Sequence, residues 1–211
     1  MTALPLAESL TTNLADALAR IAAALQVPVL LLAVAILIAI AIETGRFAVE
    51  LWQRRSRAKH GGLRRLSEAA VADPAQAGAL SGYAPTSFSA QALLEVASAA
   101  TRHDPDSVEL ALTDYELVAR RRLDRTRILV RTGPAVGLMG TLIPLAPGLQ
   151  ALADGEIAQL ADDLRTAFAA TVIGLLVGTL AFALTLTRNR LYSEDLAALE
   201  RAAAPIVRAA R

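Results

Sequence analysis

The sequence predicts an all-α membrane protein, with three transmembrane helices and long cytoplasmic helical extensions. The first observation is that three runs of 22 residues contain no Asp, Glu, Lys or Arg, namely residues 21–42, 132–153 and 166–187. A helix of that length extends roughly 33 Å, enough to cross about 30 Å of bilayer hydrocarbon. The second is that 55% of the residues are hydrophobic and only 4% are aromatic. The apolar surface is therefore aliphatic, which suits lipid-facing and tightly packed helices.

The distribution of basic residues gives an expected orientation. Nineteen of the 21 Lys and Arg residues lie in two segments, 43–131 and 188–211. Because basic segments stay on the cytoplasmic side, we expect these two in the cytoplasm, and the N-terminal segment 1–20 and the acidic loop 154–165 outside it. The first apolar run follows mainly acidic residues and precedes basic ones, which favours a retained anchor over a cleaved signal peptide. The predicted location is the inner (cytoplasmic) membrane, with the C-terminal helix in the cytoplasm.

The long cytoplasmic segment is predicted to be mostly helical. The first helix should continue to about residue 61, a short amphipathic helix should follow, and residues 74–88, rich in Gly, Pro and Ser, should form a loop. Residues 89–103 are predicted as a second helix. Asp104 and Pro105 then form a helix start. No breaker follows before Arg131, so this helix should enter the membrane unbroken.

Six arginines lie on that approach to the membrane. Arginine beside an apolar run commonly anchors a helix at the lipid headgroups. A docking face for a cytoplasmic partner, or an ion portal, is the alternative. The six are Arg120, Arg121, Arg122, Arg125, Arg127 and Arg131.

Small residues recur along the second and third apolar runs at helical spacing. In lipid, helices associate through close packing, which small residues permit. Steps of three and four keep side chains on one face, so each run presents a narrow seam, either for packing alone or for lining a pathway. Thr141 and Thr171 lie on these seams, and Thr166 lies at the outer end of the third run. The seam residues are Gly133, Gly137, Gly140, Pro144 and Gly148 in the second run, and Ala167, Gly174 and Gly178 in the third.

The residue types that the predicted spans and the chain lack exclude several classes of function. No predicted span contains an ionisable residue, whereas proton relays through lipid normally use one. If the protein conducts protons, the titrating carboxylate must come from another polypeptide. The chain has no cysteine, its two histidines are isolated, and no phosphate-binding glycine loop with a lysine occurs. We therefore expect no metal, no cofactor and no enzymatic activity, and the net charge of +1 does not indicate nucleic-acid binding.

Two motifs resemble those of the MotA/TolQ/ExbB proton channel family. They are Gly137-Leu-Met-Gly-Thr141 in the second run and Ala167-Phe-Ala-Ala-Thr171-Val-Ile-Gly174 in the third. The resemblance is specific over about residues 130–192 and topological before them. It implies a homo-oligomer, a pentamer around a central pore that holds the membrane helix of a single-span ExbD/TolR/MotB-like subunit. An Asp on that helix would take protons beside Thr141 and Thr171.

The chain also departs from the family pattern. Where the ExbB and TolQ branch has a glutamate near the outer end of the third span, this chain has Thr166, which is closer to the MotA branch. Its cytoplasmic segment is shorter than that of a flagellar stator. These features indicate a divergent, non-flagellar member, acting as the pore-forming subunit of an envelope motor driven by the proton-motive force. The alternative is a non-conducting structural scaffold in a membrane transport or secretion assembly.

Overall fold

Three long helices account for most of the computed structural model, which describes residues 4–58, 91–96, 98 and 105–209. We number them α1 (Leu4–Ala58), α2 (Pro105–Ala153) and α3 (Ile157–Ala209). Residues 91–96 are also helical, within the helix predicted for 89–103. The parts described contain no strand. The short helix and the loop predicted before residue 89 lie outside the described residues.

Each of the three helices is long and apolar enough to cross a membrane. The candidate spans lie within Ala17–Trp52, Asp106–Ala153 and Ile157–Arg201. The prediction of an all-α protein with three membrane helices is therefore confirmed. The helix that starts at Pro105 runs unbroken past Arg131 into the second apolar run, as the lack of breakers before Arg131 predicted, and it continues to Ala153.

The chain divides into two compact units, and the first contains the first two predicted spans and most of the third. It comprises Met1–Glu43 and Arg127–Phe182. Within it α1 buries a stripe at steps of four, three and four, formed by Val29, Ala33, Ile36 and Ile40. Such spacing places all four side chains on one helix face. The opposite face leaves large aliphatic side chains such as Leu31 and Ile38 exposed, as a lipid-facing surface requires.

A three-residue turn joins α2 to α3. Gly155 adopts a left-handed conformation, with φ of 79°, which glycine reaches without the steric cost of a Cβ atom. The Gly155 amide donates to the Leu152 carbonyl at 3.2 Å and the Glu156 amide to the Ala151 carbonyl at 2.7 Å. This is the Schellman pattern that ends a helix. The next helix begins at Ile157, directly after this turn. Most of the acidic segment 154–165, which was predicted as an outer loop, is therefore helical.

The second unit comprises Thr44–Thr126 and Ala183–Arg211. Its core brings together residues 91–96 and parts of α2 and α3, with Tyr115 and Tyr192 buried at its centre beside Leu199. A smaller cluster around Val96 and Val108 continues it. The apolar face of the helix containing residues 91–96 therefore packs on the parts of α2 and α3 in this unit.

A network of charged and hydroxyl groups adjoins that core. Arg54 donates to both oxygens of Asp195, at 3.1 and 2.6 Å, and contacts Glu50 at 3.4 Å. The Tyr115 hydroxyl donates to Asp195 at 3.4 Å. Burial lowers the pKa of Arg54, but the hydrogen bond to Asp195 and the two carboxylate charges outweigh it and raise the pKa overall. Arg54 therefore stays charged and holds α1 to α3.

Candidate functional site

The predicted seam glycines of α2 lie directly against α3. A Cβ atom built on Gly133 would be 2.8 Å from the Gly174 carbonyl oxygen, and one on Gly174 would be 2.6 Å from the Gly137 Cα. Real Cβ atoms essentially never come within 3.0 Å of such neighbours. Larger residues are therefore excluded at these positions unless the helices separate. The backbones make the close contact that small residues allow in lipid.

The prolines of α2 are accommodated within this packing. Pro134, Pro144 and Pro147 all lie inside the helix, which continues past each of them. Each lacks an amide hydrogen and so leaves the carbonyl four residues earlier without its usual helical partner. The ring of Pro134 fits over Gly178, whose built Cβ would be 2.8 Å from the proline Cδ. Pro144 is fully buried.

The contacts pair α2 and α3 in antiparallel register. Gly133 adjoins Gly178, while Gly140, about two turns further along α2, adjoins Ala170. Residue numbers thus rise along α2 as they fall along α3. The register stays constant over the length of the seam, so the depth of any α2 residue relative to α3 follows from the helical rise of 1.5 Å.

Thr141 and Thr171 lie on the same side of this helix pair. Each is rotated by about 70° from the middle of its own contact face, in the direction of increasing residue number. Because the helices are antiparallel, equal rotations of this kind bring both side chains to one side. The register places them about 4 Å apart along the helix axes, less than one turn. Both residues are half-buried.

The hydroxyl groups of both threonines are anchored to their own helices. The Thr141 hydroxyl donates to the Leu138 carbonyl at 2.7 Å, and the Thr171 hydroxyl to the Ala167 carbonyl at 3.3 Å. A hydroxyl has one donor hydrogen and two acceptor lone pairs. With its hydrogen used in the helix, each oxygen is left as an acceptor with a fixed position. The pair can accept hydrogen bonds from water, a hydrated proton or a protonated carboxyl group.

The surface around the two threonines is otherwise apolar. Leu138 and Leu145 on α2, and Leu175 and Phe182 on α3, share this side by helical spacing and are exposed. The described parts of this chain leave them uncovered. We call this surface, with Thr141 and Thr171 at its centre, the threonine face.

Comparison with known protein families assigns the chain to a family. Residues 84–200, more than half of the chain, match the MotA/TolQ/ExbB proton channel family. The chain belongs to this family. No curated protein and no solved structure matches it. Membership supports a proton-channel type of role, and with the three apolar helices it supports a multi-pass protein of the inner membrane. Proton channel families are typically not enzymes, and this family functions with partner subunits in the membrane.

Thr166, the third threonine predicted for the ion pathway, lies on a different face of α3. Five residues separate it from Thr171, which corresponds to a rotation of about 140°. Its hydroxyl donates to the Asp162 carbonyl at 3.1 Å, and its side chain lines a groove between α1 and α3. The structure thus brings two of the three predicted pathway threonines together and places the third on the α1 side.

Two residues at the seam were missed in the sequence analysis. Ala170 is the direct partner of Gly140, and the carboxylate of Asp163 packs against Gly148. The Asp163 Oδ2 atom is buried and has no hydrogen-bond partner among the described residues. The signal was present, because steps of four and three lead outward from Gly174 through Ala170 and Ala167 to Asp163. The predicted stripe stepped from Ala167 to Thr171 and so did not include Ala170, while Asp163 lies outside the predicted span 166–187.

No metal site is apparent in the part of the chain that the structure describes. Within residues 4–58, 91–96, 98 and 105–209, no three His, Asp or Glu side chains lie close enough together to hold an ion. The chemistry offered by the α2–α3 pair in this part of the chain is that of hydroxyl and carbonyl oxygens on the threonine face and of the buried Asp163 carboxylate at the seam.

Proposed function

We propose that this protein is the pore-forming subunit of an envelope motor driven by the proton-motive force. Protons would pass along the threonine face, beside a carboxylate supplied by the membrane helix of a single-span ExbD/TolR/MotB-like partner. The observation that carries the proposal is the placement of Thr141 and Thr171 on one side of the α2–α3 pair and within one turn in depth. Family membership supplies the class of activity.

The polarity of the threonine face supports this role. Two fixed acceptor oxygens lie within an exposed apolar surface. An Asp on a helix seated there would find hydroxyl partners at one depth only, because the surrounding side chains are Leu and Phe. The predicted spans of this chain carry no ionisable group, and proton transfer through hydrocarbon needs one. The partner's carboxylate meets that need.

The assembly we propose follows the family resemblance. The threonine face of each copy would turn toward a common axis, in a homo-oligomer that we expect to be a pentamer, with the partner's helix at its centre. The expected orientation has the N-terminus outside and the C-terminal helix in the cytoplasm, because nineteen of the 21 basic residues then lie inside.

Proton flux into liposomes tests the proposal. The protein is purified with the single-span partner, reconstituted, and challenged with a pH gradient while an internal dye reports pH. Thr171→Val, which keeps the shape of the side chain but removes the hydroxyl, should lower the flux by about tenfold, as expected for the loss of one hydrogen bond to the moving proton. Thr171→Ser, which keeps the hydroxyl, should retain most of it.

A matched control comes from Thr187. Its hydroxyl makes the same kind of bond, to the Ala183 carbonyl at 2.8 Å, but it lies outside the threonine face. Thr187→Val should leave the flux unchanged. Thr166→Val, tested in the same way, tells whether the α1 side of α3 contributes to the pathway.

The scaffold alternative rests on a specific observation. Threonines that bond their own helix carbonyls are satisfied there and need no other role, and both Thr141 and Thr171 do so. A scaffold would tolerate valine at both positions. Flux that is unchanged in the Thr141→Val and Thr171→Val variants, in an intact complex with the partner, would therefore favour the scaffold and refute the proton pathway.

A further inference from the structure

A groove opens between α1 and α3 in the membrane unit, on the side of α3 away from Thr171. Its volume is about 380 Å³, at the lower end of the range for small-ligand sites. It is lined by three residues of α1 and six of α3. They are Leu30, Ala33, Val34, Asp162, Arg165, Thr166, Ala169, Ala170 and Ile173.

The walls of the groove are apolar along most of its length. Leu30 and Ile173 provide aliphatic surface, while Ala33, Ala169 and Ala170 are small and so leave the space open. We expect lipid atoms to fill a groove of this kind, because an empty groove would cost both the protein and the lipid their dispersion contacts. Its shape and chemistry suit a hydrocarbon chain.

The polar side chains of the groove occur only at one end. Asp162 and Arg165 lie at the start of the third apolar run, three residues apart and so on one face of α3. Both side chains are exposed. Neither side chain forms an ion pair or a hydrogen bond with another described residue. A negative and a positive group are therefore both available where the apolar groove meets the membrane surface.

We propose that the groove binds a phospholipid with a primary-ammonium headgroup, phosphatidylethanolamine. One acyl chain would lie between α1 and α3, Arg165 would donate to the phosphate, and Asp162 would accept from the ammonium group. Arginine binds phosphate through charge-assisted, often bidentate hydrogen bonds. The pair of opposite charges matches a zwitterionic headgroup, whereas an anionic lipid would meet repulsion from Asp162. The proposal does not depend on proton conduction or on which side of the membrane this end faces.

Charge decides between this occupant and a neighbouring helix. A helix from a second copy would have to pair both Asp162 and Arg165 at the edge of the hydrocarbon. Because the predicted spans contain no charged residue, the second copy would have to supply both partners from residues that flank its spans. A phospholipid brings both charges on one headgroup, at the depth where the two side chains lie.

Native mass spectrometry of the purified protein in detergent tests the inference. The protein is titrated with phosphatidylethanolamine or phosphatidylcholine of the same acyl chains, and bound lipids are counted per subunit. Ethanolamine lipid should bind more tightly, because the trimethylated choline group has no hydrogen to donate to Asp162. Arg165→Gln should weaken binding of both lipids by about fivefold. Asp162→Asn should remove the preference between them.

A larger side chain in the groove tests whether the acyl chain lies there. Ala169 is exposed at the groove wall, so Ala169→Phe should fold while lowering the affinity for lipid by about tenfold. Ala35→Phe is the matched control, because Ala35 is exposed on α1 but does not line the groove. Equal lipid binding by these two variants would overturn the proposal, as would equal affinity of the unchanged protein for the two lipids. A change of oligomeric mass in Ala169→Phe with no change in bound lipid would instead identify the groove as a contact between copies, and would also overturn it.

Discussion

Moving a single methyl group across the α2–α3 seam tests the close packing of these helices. Gly140 faces Ala170, and a Cβ atom built on Gly140 would lie 2.5 Å from the Ala170 Cβ. We therefore consider Gly140→Ala alone, and then Gly140→Ala together with Ala170→Gly. The double variant carries the same atoms as the natural chain, with the methyl group transferred from α3 to α2.

The expected magnitude follows from the distances. Ordinary van der Waals contact is 3.4–4 Å, so the single variant must push the two methyl carbons about 1 Å further apart. Overpacking of this kind costs about 1–3 kcal/mol. Because the overlap is about 1 Å between two methyl carbons fixed to backbone, we expect the upper part of that range, about 2–3 kcal/mol. The better helix propensity of Ala offsets about 1 kcal/mol, which leaves a net loss of about 1–2 kcal/mol. In the double variant the nearest atom is the Ala170 Cα at 3.8 Å, and the propensity terms cancel. Its stability should return to within about 0.5 kcal/mol of the natural protein.

The assay is the fraction of protein that remains monodisperse after heating in detergent, measured by size-exclusion chromatography. A loss of 1–2 kcal/mol should lower the apparent Tm by about 2–8 °C for a chain of this size. Gly45→Ala is the control, because nothing lies within 4 Å of its built Cβ, and it should not lower the Tm. The reasoning is refuted if Gly140→Ala is as stable as the natural protein, or if the second change fails to restore what the first removes.

Two further changes test the turn and the second unit. Gly155→Ala forces a side chain into a left-handed conformation and should cost about 1 kcal/mol, seen as a fall in Tm of about 2–4 °C; an unchanged Tm would mean that the turn relaxes freely. Arg54→Ala leaves the carboxylate of Asp195, only 8% exposed, without its ion-pair partner, and should cost about 1–3 kcal/mol. Adding Asp195→Ala to Arg54→Ala should recover part of that loss in the same heating assay, and a purely additive result would show that the two side chains do not interact.

The spans could be predicted because the bilayer imposes a simple rule on sequence. A helix in hydrocarbon excludes charge over about 20 residues, so the uncharged runs locate the three helices. The spacing of small residues likewise identifies which face of α2 turns inward, since a step of three or four is a geometric property of one helix. Both deductions use information that is local in the chain.

The details of the site depend on relations between distant residues. Arg54 and Asp195 are 141 positions apart, and nothing in either local sequence specifies the other. Thr141 and Thr171 were predicted separately, but their common side and depth follow from the register of α2 against α3. The groove follows from the packing of α1 on α3, which periodicity leaves open. Helix α3 begins at Ile157, nine residues before the uncharged run, because charge limits insertion into lipid without limiting helix formation.

The three-residue turn and the glycine contacts also determine where movement can occur. A turn this short allows little sliding between α2 and α3, and backbones in direct contact over two to three turns leave no space for rotation. Helices α2 and α3 are therefore expected to move together as one rigid body. Under the proposed function, mechanical work would therefore appear as motion at the outer surface of the pair, where the aliphatic side chains of Leu138 and Leu175 are exposed.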